Sequence, residues 1–255
     1  MRRRSTITKL FFALLLGTIL QGCASQPHHE TAPIIPPKHS LSEIPKSGEL
    51  TIIDVYDPLE PANRAIYFFN YQFDKYIFLP AVNAYEFITP DLVEKGISNF
   101  FSNIRETINF TNTLLQLKFS RALKTAARFI INSTIGIAGI WDPATRMKLY
   151  QHREDFGQTL GYYGLGPGPY IVIPILGPSN LRDAIGLAAD SLLLNAILSN
   201  IDHYNEIRFW LPFYFVESID RRHRTSFRYY KTGSPFEYDL IRFLYLKVRE
   251  AKIAK

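Results

Sequence analysis

Between Phe156 and Leu181 the chain runs for 26 residues without a charged side chain, long enough by length alone to cross a bilayer. Ten of those residues are Gly or Pro, which rules out a continuous helix there. The segment must resolve into a turn-rich loop, Gly161–Pro169, and a short extended apolar run, Tyr170–Pro178. Helix resumes at Ser179 or Asn180, polar caps ahead of Leu181, Ile185, Leu187 and Leu192. The charges stand at the flanks: Asp155 before the segment, and Arg182, Asp183 and Asp190 after it. Charges bordering an uncharged segment are candidates for lining a wet passage, with helix caps and salt bridges as the alternative, since an acid in a first helical turn is favoured in any case.

Elsewhere the pattern is helical. Asp57-Pro58-Leu59-Glu60-Pro61 reads as a helix start with Asp57 as N-cap. From Ala62 to Leu79, Ile66, Tyr67, Phe68, Phe69, Tyr71, Phe73, Tyr76, Ile77 and Phe78 leave few polar gaps. A surface helix of a soluble domain keeps an apolar stripe about 100° wide, so this one is either the centre of a core or has a side against lipid. A second helix is expected from Asp91 to Lys118, with Ile97, Phe100, Phe101, Ile104, Ile108, Leu114 and Leu115 on an apolar face. Ser120 is read as capping a third, which ends in the two glycines of Ile135–Pro143. Aromatic helices follow near Ile207–Arg224 and Phe236–Lys252. The expected fold class is mainly α with little β: a single-domain helical bundle over residues 55–230, then a basic helical tail, 231–255.

The formal charge of +6 invites a nucleic-acid reading, but Arg2, Arg3, Arg4 and Lys9 lie in the first 22 residues and the remaining excess lies after residue 217. The body between is net acidic, which excludes a groove tracking phosphate backbones. Nineteen Phe and fifteen Tyr instead suit a boundary between hydrocarbon and water. The aromatic helices carry internal charges (Arg64, Asp74, Lys75, Arg208, Glu217), which favours lying within one leaflet over spanning.

The N-terminus points the same way. A basic n-region and the eleven-residue apolar run Leu10–Leu20 have signal-peptide dimensions. Leu20-Gln21-Gly22-Cys23 resembles the lipobox of bacterial lipoproteins, which implies removal of residues 1–22, a covalent diacylglycerol and N-acyl chain on Cys23, and a lipidated tether over 23–54. Cys23 is the sole cysteine, and an anchor consumes a thiol that an exported domain rarely leaves unpaired. Ala24, in place of the Asp that retains such proteins at the inner membrane, implies the outer membrane.

No phosphate loop or Gly-x-Ser-x-Gly elbow is present, and Gly164-x-Gly166 meets Pro169 where a dinucleotide fingerprint needs its third Gly. His28, His29 and His39 fall in the tether, while His152, His203 and His223 are scattered without ligand spacing. No cofactor, metal or enzymatic activity is expected.

Several motifs run in order through about 55–195: Asp57-Pro58-Leu59-Glu60-Pro61-x-Asn63-Arg64, Asn99-Phe100-Phe101-x-Asn103, Asn112-x-Leu114-Leu115-Gln116, Arg128-Phe129-x-x-Asn132-Ser133, Glu154-Asp155-Phe156-Gly157-Gln158-Thr159-Leu160-Gly161, Gly166-x-Gly168-Pro169-Tyr170 and Pro174-x-Leu176-Gly177-Pro178-x-x-x-Arg182-Asp183. Together they resemble the MlaA (VacJ) family of outer-membrane lipoproteins; the basic end departs from the family's more acidic tails. The resemblance implies a ring of helices embedded in the inner leaflet of the outer membrane around an amphipathic channel. It implies phospholipids as cargo, a trimeric porin and a periplasmic lipid carrier as partners, and maintenance of lipid asymmetry as the outcome. Gly164, Gly166 and Gly168 become candidates for a ridge of sharp turns at the passage. The competing readings are a structural lipoprotein tethering outer-membrane partners through its aromatic helices and, third, a lipid-modifying hydrolase.

Overall fold

The computed structural model describes residues 55–201 and 206–255. The signal peptide, Cys23, the tether and His203 lie outside the described residues. The order is α1 (Glu60–Phe73), a π-helical turn (Asp74–Phe78), α2 (Leu79–Ile88), α3 (Asp91–Leu115), α4 (Phe119–Thr134), α5 (Pro143–Arg146), α6 (Phe156–Tyr162), β1 (Tyr170–Ile173), β2 (Gly177–Asn180), α7 (Leu181–Leu198), α8 (Ile207–His223) and α9 (Glu237–Ile253). The protein is mainly α, a single-domain helical fold with one small antiparallel hairpin in which Tyr170 faces Asn180 and Ile173 faces Gly177.

The uncharged segment divides as its Gly and Pro content requires: a short helix, a loop, and an extended run that turns back on itself as the hairpin. Asn180 caps α7, its Oδ1 accepting the Asp183 N–H at 2.8 Å. Three local expectations are corrected. Asp57 does not cap α1, whose N-cap is Leu59; the Asp57 carboxylate turns inward to Asn63 Nδ2 (2.7 Å) and Arg242 Nη1 (3.1 Å). Ser120 lies inside α4, which starts at Phe119 without a side-chain cap. The second long helix stops at Leu115 because Leu117 takes a left-handed φ of 57°.

The first helices turn mostly polar side chains inward. Along α1 and the π turn, Asn63, Tyr67, Asn70 and Asp74, spaced four, three and four residues apart, are the buried stripe; Phe68, Phe69, Tyr76 and Ile77 point out. Along α3 the buried side includes Asn103, Glu106, Asn109, Asn112 and Thr113, and Phe110, Leu114 and Leu115 are exposed. α4 buries Thr125, Arg128 and Asn132 and exposes Phe119, Leu123 and Ile130. Among the described residues, buried polar and charged side chains outnumber buried apolar ones two to one. Burying them is tolerable only because they bond one another.

Asn63 and Asn70 show how. The Asn63 amide donates to the Tyr170 carbonyl (3.0 Å) and accepts from the Val172 N–H (2.8 Å); Asn70 does the same for Ile173 O (3.0 Å) and Ile175 N (2.6 Å). Two amides two helical turns apart thus stand in for a third strand and satisfy the free edge of β1. Tyr67, between them, is the hub of the aromatic core, with Tyr229, Tyr230 and Tyr238 edge-on at 5.0, 5.6 and 5.6 Å. Helix α9 is part of this interior: Tyr238, Asp239, Arg242 and Arg249 are buried.

Candidate functional site

The charges flanking the Gly/Pro segment come together. Asp155 caps α6, accepting the Gln158 N–H at 2.9 Å, and takes a fork from Arg249 of α9 at 2.6 and 2.7 Å. The same guanidinium donates to Asp183 at 2.9 Å. Asp183 also accepts from Tyr245 Oη (2.7 Å) and Arg182 Nε (3.0 Å), and Arg182 Nη1 reaches back to the Leu165 carbonyl of the loop at 3.2 Å. Asp190, two turns along α7, accepts from the Phe156 N–H and from Asn112 Nδ2, each at 2.9 Å. Burial alone would raise the Asp155 carboxyl, but the Arg249 bonds and charge hold it below its ordinary value. Asp190 is raised, by burial first, with the neighbouring Asp155 charge adding to it.

This is the geometry of caps and ion pairs bracing a loop. Arg249 pins the first turns of α6 and α7, the two helices that bracket the loop and hairpin. Their close approach is set by glycines: a Cβ on Gly186 would lie 2.2 Å from the Gly157 nitrogen. Arg249 carries no sequence signal that sets it apart from other basic residues of the C-terminal segment. The Asn63–Tyr67–Asn70–Asp74 stripe did carry one, a helical period of mostly polar residues inside an otherwise apolar run.

The loop held by this network is apolar and exposed. Gly164 (φ 87°) and Gly168 (φ 67°) occupy the left-handed region; Gly166 does not. Tyr162, Tyr163 and Leu165 project from it, and Ile175 and Leu176 from the hairpin tip. The exposed apolar set extends over every long helix, reaching 91% exposure at Phe87 and 74% at Leu123 and Ile88. Contiguous apolar surface beyond a few hundred Å² marks a membrane or protein contact. Among the described residues, no helix is long and apolar enough to cross a membrane, and no group of His, Cys, Asp or Glu is arranged to hold a metal ion. Asn132 is buried against Asp142 (3.0 Å).

A family model described as MlaA lipoprotein matches residues 55–252. An uncharacterized protein of Rickettsia conorii is 36% identical over 81% of this chain and 82% of its own length. The intermembrane phospholipid transport system lipoprotein MlaA of Escherichia coli K12 is 37% identical over 138 residues, 52% of this chain and 55% of that protein. This chain thus spans just over half the length of that relative. A solved structure described as "Structural basis for maintenance of bacterial outer membrane lipid asymmetry" aligns with a TM-score of 0.62 at 31% identity, covering 78% of this chain and all of that one.

Proposed function

The chain belongs to the MlaA lipoprotein family, and from that premise we propose that it is the outer-membrane lipoprotein of an intermembrane phospholipid transport system. It removes mislocalised phospholipids from the outer leaflet through an amphipathic channel and passes them to a periplasmic carrier protein, without catalysing a reaction. Its body lies in the inner leaflet against a trimeric porin, anchored through the acyl chains on Cys23.

The observation that carries this reading is the inverted polarity of the helices, with amides, carboxylates and guanidiniums inside and Phe, Leu, Ile and Trp outside. In water this arrangement would leave the apolar faces uncovered, whereas in a leaflet both sides are satisfied. Extracting a phospholipid through water exposes roughly 28 methylenes, about 20 kcal/mol at about 0.8 each. A passage with apolar rims and a polar lining lowers that barrier for the tails and the headgroup together. Asp155, Arg182, Asp183 and Asp190 serve this passage by fixing the lip that Gly164, Gly166 and Gly168 shape. The test is outer-leaflet phospholipid in a strain lacking the protein. Accumulation reversed by the wild type supports transport; a strain that keeps its asymmetry but loses co-purification of outer-membrane proteins supports the tethering role instead.

A further inference from the structure

Five cations, Lys118, Arg121, Lys124, Arg153 and Lys252, gather where the turn between α3 and α4 meets the end of α9. Lys118 and Arg121 share the Glu154 carboxylate at 3.3 and 3.2 Å, and Arg121 donates to the main-chain oxygen of Lys255 at 3.0 Å. Those bonds tie the start of α4 to the segment before α6 and to the C-terminal end of α9. Lys124 stands one turn beyond Arg121, Arg153 precedes Glu154, and Lys252 lies one turn beyond Arg249, whose fork holds Asp155. Lys124, Arg153 and Lys252 are exposed and form no ion pair among the described residues; the Arg153 guanidinium donates to Gln151 Oε1 at 3.1 Å. The carboxylates nearby are already answered. Glu154 is buried against Lys118 and Arg121, Asp155 pairs with Arg249, and Glu250 pairs with Lys247 at 2.9 Å. Burial first, then the Arg121 and Lys124 cations, hold His152 below its ordinary value. Burial and then Arg249, with Arg153 and Lys255 adding, lower the Lys252 ammonium.

What lies beside these cations says what covers them. Phe119, Leu123 and Ile130 of α4, spaced four and seven residues apart, share one face and are all exposed. The exposed cations of α4 are confined to its first two turns, while that apolar face runs on to Ile130. The Lys118 ammonium sits 5.7 Å from the centre of the exposed Tyr162 ring, and Tyr163, also exposed, donates to the Leu115 carbonyl at 2.6 Å. A helix that is apolar along its length and basic at one end only, edged by tyrosines, has the polarity profile of a leaflet followed from headgroups toward tails. An acidic protein surface would answer the cations but not the bare apolar face that continues from them.

We propose that this basic corner is a docking surface for the anionic phospholipid headgroups of the leaflet that holds the body, with Lys124, Arg153 and Lys252 on the phosphates and Phe119 and Leu123 among the acyl chains. The proposal rests on the leaflet reading and adds to it a headgroup class and an orientation: the α3–α4 turn and the end of α9 stand at headgroup level, and Ile130 lies deeper. The lipids held here are those surrounding the protein, not its cargo.

The test uses the full lipidated protein in nanodiscs of phosphatidylcholine and phosphatidylglycerol in equal amounts with matched chains. Lipid that stays with the protein on extraction into mild detergent is quantified by mass spectrometry. Phosphatidylglycerol is expected about fivefold over phosphatidylcholine, the preference given by one cation–headgroup contact of about 1 kcal/mol, and about 1 M salt should abolish the preference. Replacing Lys124, Arg153 and Lys252 together by Gln should bring the ratio near unity with thermal unfolding unmoved. The same loss of charge at Lys75, Lys95 and Lys231, exposed cations outside the corner, should leave the ratio where it was. Equal retention of the two lipids by the wild type would overturn the proposal and leave the corner to an acidic protein. An unmoved ratio in the first triple variant, or an equal drop in the second, would also overturn it. A wild type that retains neither lipid would overturn the leaflet reading, and this surface with it.

Discussion

If the polar interior is what holds the helices together, breaking it should cost more than trimming the apolar exterior, and the Glu106–Arg128 pair measures the difference. The side chains are 1% and 4% exposed. Arg128 donates to Glu106 at 2.8 Å, to Asp142 at 3.0 Å and to Thr145 Oγ1 at 3.0 Å, and it contacts the Leu149 carbonyl. Removing one partner of a buried pair costs about 3–5 kcal/mol, largely from the charge left behind. The two partners are not equivalent. Arg128→Met strands two carboxylates and belongs at the upper end, whereas Glu106→Gln leaves the guanidinium with Asp142 and belongs at or below the lower end. The double variant should cost clearly less than the sum, with a coupling of about 1–3 kcal/mol. Reversible unfolding of the protein in a fixed detergent, followed by near-ultraviolet circular dichroism, gives all three values. Single costs under about 1 kcal/mol with no coupling would mean that water reaches the pair, and the argument for a closed, self-satisfied polar interior would fail.

Three further outcomes are expected. Gly186→Ala should cost about 1–3 kcal/mol or more, because its Cβ meets the backbone of Gly157, while Gly166→Ala, with nothing within 4 Å of the new carbon, should leave thermal unfolding unmoved. Replacing Phe87 and Leu123, at 91% and 74% exposure, by Ser should change unfolding in detergent by no more than about 0.5 kcal/mol each while reducing recovery with outer membranes; unchanged recovery would remove lipid contact at those faces. Acid should loosen the α6–α9 junction: Asp155 is held below its ordinary value, so its stabilisation is fully present above the unfolded carboxylate pKa of about 3.9 and is lost as pH falls through the lower folded value. Asp155→Asn should flatten that slope in a pH series of unfolding midpoints.

Much of the architecture is written locally. Ten Gly and Pro among 26 uncharged residues forbid one continuous helix through the segment, and the break after Tyr162, the turns at Gly164 and Gly168 and the restart behind Asn180 follow from backbone sterics and capping. The helices of the aromatic runs, and the mainly α class, follow from periodicity alone. Which side of each helix faces inward does not. Periodicity separates an apolar face from a polar one but carries no sign, and the sign comes from whatever surrounds the finished fold. The α3 face containing Leu114 and Leu115 reads as a core when water is assumed outside, and it becomes the exterior once Asn109 and Asn112 find partners in Glu154, Thr159 and Asp190 across the chain. The same holds for the charges. Asp155 and Asp183 announce themselves at helix starts, but their joint partner is Arg249, 94 and 66 residues away. No local pattern couples positions so distant; only the packing of α9 against α6 decides that those three charges meet.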